Sequence, residues 1–158
     1  MGLRRVRISD PEVGVLLAAL AEEYRSRYGE GDEMSTVPDS DFDPPAGLFL
    51  VAVEAGEVVA GGGFRHLEDG VCEIKRMWTR ADQRRRGQAS AVLHGLELAA
   101  REAGYHTLRL ETGPAQPEAA ALYEGRGYRR IPVYGRYSEA LAFEVDLASV
   151  TSSSAPGS

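Results

Sequence analysis

The sequence predicts an α+β domain: a central mixed, mainly antiparallel sheet of about six to seven strands, with helices on both faces. Short alternating apolar runs lie between residues 46 and 79 and again between 106 and 147, as sheet strands require. Two helical stripes interrupt them, one near the start of the chain and one from Ser90. Glycine-bearing turns separate most of these segments. At 158 residues the chain has room for one core. The domain is expected to span residues 1–147, followed by a disordered tail over 148–158.

Residues 3–8 suit a short first strand. Asp10 is a candidate N-cap with Pro11 at the first helical position, and Val13, Leu16, Leu17, Leu20 and Tyr24 recur at helical spacing. Residues 29–47 lack periodicity and read as a long loop with room for a short helix. LFLVAVE, the turn around AGE and VVAGGGFRHL form a hairpin, and LEDG leads into a third strand, VCEIKRMWT. A helix then runs from Ser90, with Val92, Leu93, Leu96, Ala99, Ala100 and Ala103 on its buried stripe and Gly104 at its C-terminal cap. HTLRLET is a strand, PEAAALYEGRG a short helix leaving at Gly127, and YRRIPVYGRY and SEALAFEVDL are closing strands.

Composition removes several kinds of chemistry. No apolar run approaches the roughly 20 residues of a membrane helix, and MGLRRVRISD has no apolar stretch behind its basic residues, so the cytoplasm is the expected compartment. Cys72 stands alone, which rules out an internal disulfide and a cysteine-based zinc site. His66, His94 and His106 show no metal-ligand spacing, and no metal is expected. A net charge of -6 argues against a nucleic-acid partner.

Charge is nevertheless local. Residues 73–90 carry six basic side chains against Glu73 and Asp82, whereas residues 30–43 carry six acids and no base. The acidic stretch reads first as a solvated loop and second as an attractor for a cationic acceptor. In ADQRRRGQAS, a strand, a glycine turn and a helix follow one another, so unpaired N–H groups and the positive helix end converge on one point. Arg84, Arg85 and Arg86 add guanidinium donors to that anion site. Neither G-x-x-x-x-G-K-[ST] nor G-x-G-x-x-G is present, so a phosphate-bearing ligand of another kind is expected.

Arg84-Arg85-Arg86-Gly87-Gln88-Ala89 resembles the Q/R-x-x-G-x-G/A signature of the GNAT superfamily of N-acetyltransferases. EIKRMWT before it, then LRLETG and AALYEGRGYRRI after it, are similar in order and spacing to that superfamily's successive motifs, over about residues 46–147. The resemblance implies acetyl-CoA as co-substrate, with its phosphates at Arg84, Arg85, Arg86, Gly87, Gln88, Ala89 and Ser90. It further implies that the pantetheine arm pairs with the strand backbone at Met77, Trp78 and Thr79, near an N–H that serves the oxyanion. Gln116, followed by Pro117, stands where many members have an asparagine that contacts the coenzyme.

Glu73, fourteen residues before Gly87, corresponds to the catalytic glutamate of the histone-acetylating branch, the general base. It is equally placed to pair with Lys75 or Arg109, and Glu111 is the reserve base. Tyr123 matches the tyrosine that protonates the departing thiolate, or is a packed aromatic. Trp78 is expected in the core, and Gly61, Gly62 and Gly63 mark a close backbone approach or a bulge. The expected activity is transfer of acetyl from acetyl-CoA to a primary amine of a small molecule or peptide, by direct attack in a ternary complex. A silent acyl-CoA-binding regulatory or sensor module is the alternative. The acceptor surface is expected around Tyr24, Tyr28, residues 29–45 and VYGRY; a homodimer stays open.

Overall fold

The computed structural model describes residues 2–28, 37–113, 117–135 and 139–150; the side chains of 24–28 and 117 are outside that description. In chain order the elements are β1 (Gly2–Val6), α1 (Pro11–Tyr28), β2 (Leu48–Glu54), β3 (Glu57–Glu68), β4 (Val71–Thr79), α2 (Gln88–Glu102), β5 (Thr107–Thr112), α3 (Pro117–Gly125), β6 (Arg129–Ile131) and β7 (Leu141–Asp146). Short 3-10 turns lie at Asp39–Phe42, Ala81–Gln83 and Leu147–Ser149. The strands form one sheet in the order β1-β2-β3-β4-β5-β7-β6. Every pairing is antiparallel except β4 with β5.

Turn chemistry explains the connections. Ala55 and Gly56, at φ 53° and 80°, close the β2–β3 hairpin with both central residues left-handed, which matches the twist of the strands. Both α2 and α3 end on a left-handed glycine. Gly104 N–H donates to the Arg101 carbonyl and Tyr105 N–H to that of Ala100; Gly127 N–H donates to Glu124 and Tyr128 N–H to Tyr123. The expected Asp10 cap takes another form: its carboxylate accepts from Arg7 N–H, while its carbonyl accepts from Val13 N–H. Helix α2 starts at Gln88 rather than Ser90, and β6 stops at Ile131, just before Pro132, which has no N–H for the ladder. Residues 148–150 continue the fold instead of opening the tail, because the Val150 side chain packs on the core and its carbonyl accepts from Arg101.

The sheet separates two apolar layers. On one face Val92, Leu93 and Leu96 of α2 pack with Tyr123 of α3 against Cys72, Ile74, Leu108 and Phe143. On the other, Val13, Leu16 and Leu20 of α1 pack with Phe42, Phe49, Val51 and Trp78. Gly61–Gly63 keep these layers close. A Cβ would collide with Leu16 at Gly61, with Met77 Sδ at Gly62, and with Phe42 and Phe49 at Gly63.

The same glycines lie opposite a bulge. Register shifts between Gly61 and Gly63, and across from them Arg76 sits at φ 61° in β4. The extra residue re-phases the strand. Cys72, Ile74 and Met77 contact the α2 layer, while Arg76 reaches Phe42 and Trp78 joins the α1 layer. Among the described residues no helix is long and apolar enough to cross a membrane.

Candidate active site

Beyond the bulge β4 and β5 part company. They pair only as Val71–Thr107, Cys72–Leu108 and Glu73–Arg109, so from Ile74 onward the β5-facing edge of β4 has no strand partner among the described residues. Met77, Trp78 and Thr79 lie on that open edge, and Trp78 is buried in the α1 layer.

The anion turn follows directly. Gly87, at φ 80°, is the N-cap of α2 and makes no side-chain cap; the first helical bond is Ala91 N–H to its carbonyl. The N–H groups of Gln88, Ala89 and Ser90 therefore have no acceptor among the described residues, and a side chain at Gly87 would meet open space. This donor set fits a phosphate. The arginines divide the work: Arg84 reaches Glu23 at 3.4 Å and the Thr79 carbonyl, and Arg86 reaches Gln83 at 3.1 Å and Glu54 at 3.8 Å. Arg85, left-handed at φ 65°, makes no hydrogen bond or ion pair among the described residues. Gln88 is buried, with its amide N–H bridging Gln83 and Glu54.

A fourth guanidinium joins from the turn after α3. Arg126 Nη1 donates to Ser90 Oγ at 3.1 Å, and Nη2 to the buried Glu97 at 2.6 Å. Tyr128 also donates to Glu97 at 2.6 Å, and burial beside that carboxylate holds its phenol far above the ordinary range.

Glu73 is 3% exposed, on the α1 side of the sheet. Its Oε1 accepts from Arg65 Nη1 at 2.9 Å, and its Oε2 accepts from the Tyr134 hydroxyl at 2.8 Å, with Lys75 Nζ at 3.8 Å. Arg65 also binds Asp41 at 3.0 Å; burial works against its charge, but the bonds to Asp41 and Glu73 outweigh this and raise its pKa. Arg109, a register neighbour of Glu73, turns instead to Glu144 and Glu68. Glu111 Oε2 accepts the N–H groups of Tyr134 and Gly135.

Tyr123 lies across the sheet from Glu73. Its ring packs 5.7 Å from both Tyr128 and Phe143, and burial pushes its phenol up to about 12, so it holds its proton at neutral pH. Glu73, on the last rung between β4 and β5, and Tyr123, in the α2-side core, thus lie on opposite faces of the sheet.

The same order of elements recurs in known proteins. A model of the acetyltransferase (GNAT) family matches residues 17–128. The chain belongs to the GNAT family of acetyltransferases. An uncharacterised N-acetyltransferase of Escherichia coli, YjgM, is 31% identical over 140 residues, 82% of each chain. Among solved structures, a GNAT-family acetyltransferase of Staphylococcus aureus superposes with a TM-score of 0.78 at 14% identity, over 92% of this chain and 99% of that one. An aminoglycoside 6'-N-acetyltransferase complexed with coenzyme A gives 0.73 at 14%, over 93% and 97%. The chain is accordingly an acetyl-CoA-dependent acyltransferase of the GNAT family.

As a GNAT domain the chain departs from its sequence reading in three ways. Glu73 pairs with Arg65 and Tyr134, which sequence reasoning missed; the β3–β4 hairpin register, with Arg65 opposite Glu73, was the available signal. The acidic stretch is not unopposed: Asp39 meets Arg76 at 2.8 Å, Asp41 meets Arg65, and Asp43 lies 3.7 Å from Arg7. Arg126 at the anion turn carried no sequence signal. The side chains of Tyr24 and Tyr28, residues 29–36 and Gln116 lie outside the described residues.

Proposed function

We propose that this GNAT domain transfers the acetyl group of acetyl-CoA to a primary amine of a small molecule or peptide, by direct attack in a ternary complex. The observation that carries the reading is the open β4 edge, which starts just after the Glu73–Arg109 rung and leads into the uncapped start of α2. In this reading the N–H groups of Gln88, Ala89 and Ser90 and the side chain of Arg85 hold the pyrophosphate, with Gly87 leaving room for it. Arg84 and Arg86 add positive potential from their paired positions, and Gln116 supplies an amide contact. The backbone of Met77, Trp78 and Thr79 takes the pantetheine arm as an added strand, and one of its N–H groups stabilises the oxyanion.

Glu73 accepts the proton that the ammonium must lose before it can attack. Tyr123 returns one to the thiolate as the carbon–sulfur bond breaks, a role its raised pKa allows because the phenol stays protonated at neutral pH. A silent acyl-CoA-binding module is the second reading, and one observation favours it: both Glu73 oxygens are already engaged inside the fold.

Release of coenzyme A from acetyl-CoA, measured across kanamycin, phenethylamine, spermidine, free amino acids and lysine peptides, separates the two. Amino sugars belong on the panel because one fold neighbour is named for them. Amine-dependent release with a product heavier by one acetyl group supports the enzyme. Binding of acetyl-CoA with no release to any amine would leave the silent module.

A further inference from the structure

Glu73 poses a problem for a base that must meet a diffusing amine. It is 3% exposed, and Arg65 occupies Oε1. The group that reaches its other oxygen is the Tyr134 hydroxyl, 2.8 Å from Oε2. Because that hydroxyl gives its hydrogen to Glu73, its own lone pairs point elsewhere and are available to an N–H donor.

We propose that Tyr134 relays the proton from the acceptor amine to the buried Glu73 carboxylate, and that Glu111 is the positioning residue that holds Tyr134 in place. The proposal rests on the acetyltransferase reading above. Glu111 Oε2 accepts Tyr134 N–H at 3.1 Å and Gly135 N–H at 2.9 Å, which pins the backbone on either side of the Tyr134 carbonyl. Gly135 permits this contact, since a Cβ there would collide with Glu111 Oε1. Arg109 lies 5.8 Å from the centre of the Tyr134 ring. Glu111 is thereby engaged as a loop anchor rather than as the reserve base.

The charged groups around the pair come from every element packed on it. Arg65 reaches it from β3, Lys75 from β4, and Arg109 and Glu111 from β5, with Asp41 acting through Arg65. Burial and the Glu73 carboxylate hold the Tyr134 phenol well above its ordinary range. Tyr134 therefore works by exchange rather than by ionising. An ammonium proton passes to Tyr134 Oη as the phenol proton passes to Glu73 Oε2, leaving a neutral amine and a neutral carboxylic acid. The amine nitrogen then bonds to the acetyl carbon as the carbon–sulfur bond breaks; Tyr123 protonates the departing thiolate and is restored by the proton that the acylated nitrogen gives up, and after product release the Glu73 proton returns through Tyr134 to water.

The test compares phenethylamine with 2,2,2-trifluoroethylamine, whose conjugate acid has already lost its proton at pH 7. In Tyr134→Phe the rate with phenethylamine should fall about 10²-fold at pH 7 and recover as pH rises, while the rate with trifluoroethylamine barely changes. Thermal stabilisation by acetyl-CoA should match wild type, which shows that the variant folds and binds. Glu111→Ala should reproduce the same amine-selective loss in weaker form, and Glu111→Gln, which keeps an acceptor oxygen, should restore most of the rate. An equal fall with both amines, or no fall with either, overturns the relay. Failure of acetyl-CoA to stabilise wild type would bring down the acetyltransferase reading and the relay with it, so the wild-type binding measurement tells the two failures apart.

Discussion

The Arg76 guanidinium lies 4.9 Å from the centre of the Phe42 ring, while Nη1 and Nη2 donate to Asp39 and to the Val37 carbonyl, each at 2.8 Å. One side chain from the bulge thus fastens the 37–42 segment to β4. Arg76→Ala should destabilise the fold by about 2–4 kcal/mol through lost packing and lost hydrogen bonds. Because Arg76 sits at φ 61°, Arg76→Gly should be the more stable of the two variants by about 1 kcal/mol, the reverse of the usual ranking within a strand. Urea denaturation of both variants decides the order; an alanine variant that is the more stable would remove the left-handed bulge.

At the anion turn the three arginines should not be equivalent. Arg85→Glu, alone or with Gly87→Asp, should abolish the rise in Tm on adding acetyl-CoA, a rise that corresponds to about 2.7 kcal/mol at a hundredfold excess over Kd. Arg84→Ala and Arg86→Ala should reduce it less, since those side chains already face Glu23 and Glu54. Equal losses at all three positions would contradict this division.

Buried protons should set the alkaline limit of stability, those of Cys72 and Tyr123 together with the raised phenols of Tyr128 and Tyr134. Burial raises the Cys72 thiol from 9.0 to about 12 and the Tyr123 phenol from 10.0 to about 12. Raised folded-state values mean that the associated stability is complete below pH 9 and drains away as pH climbs through about 12. A Tm profile from pH 8 to 12 should show this decline, and Tyr123→Phe should make it shallower. Native Cys72 should also resist a thiol-disulfide reagent at pH 8 and react on unfolding.

Glu97 is 2% exposed and shared by Arg126 and Tyr128. Arg126→Ala should cost about 3–5 kcal/mol because a buried carboxylate loses its counter-charge. Adding Glu97→Gln should recover part of that loss, giving a coupling energy measurable in a double-mutant cycle. Simple additivity of the two changes would mean that the pair is not coupled in solution. The same arginine variant should weaken acetyl-CoA binding, since Arg126 also holds Ser90.

What the sequence made readable was whatever depends on neighbours along the chain. Gly104 and Gly127 announced helix ends, alternation gave the strands, and Gly87 announced the turn at which α2 starts uncapped. Hidden features depended on residues far apart in sequence. Asp39, Asp41 and Asp43 read as an unopposed acidic run because Arg76, Arg65 and Arg7 arrive from other elements. Glu111 looked like a spare base because nothing local shows that the backbone at 134–135 would fold onto it. The bulge was only half announced: three glycines signalled an irregular β3, but an arginine at positive φ leaves no mark in composition.

The ladder between β4 and β5 is three residue pairs long, and it is the seam that joins β1–β4 to β5, β7 and β6. Mechanically the sheet is a pair of blades on a short pivot. Few rungs make a low barrier to local opening, so the pivot amides should exchange with solvent sooner than those of the longer β2–β3 ladder. A ligand lodged between the blades would brace them, and its occupancy would be written as slowed exchange at Thr107–Arg109, at the far end of the cleft from the start of α2.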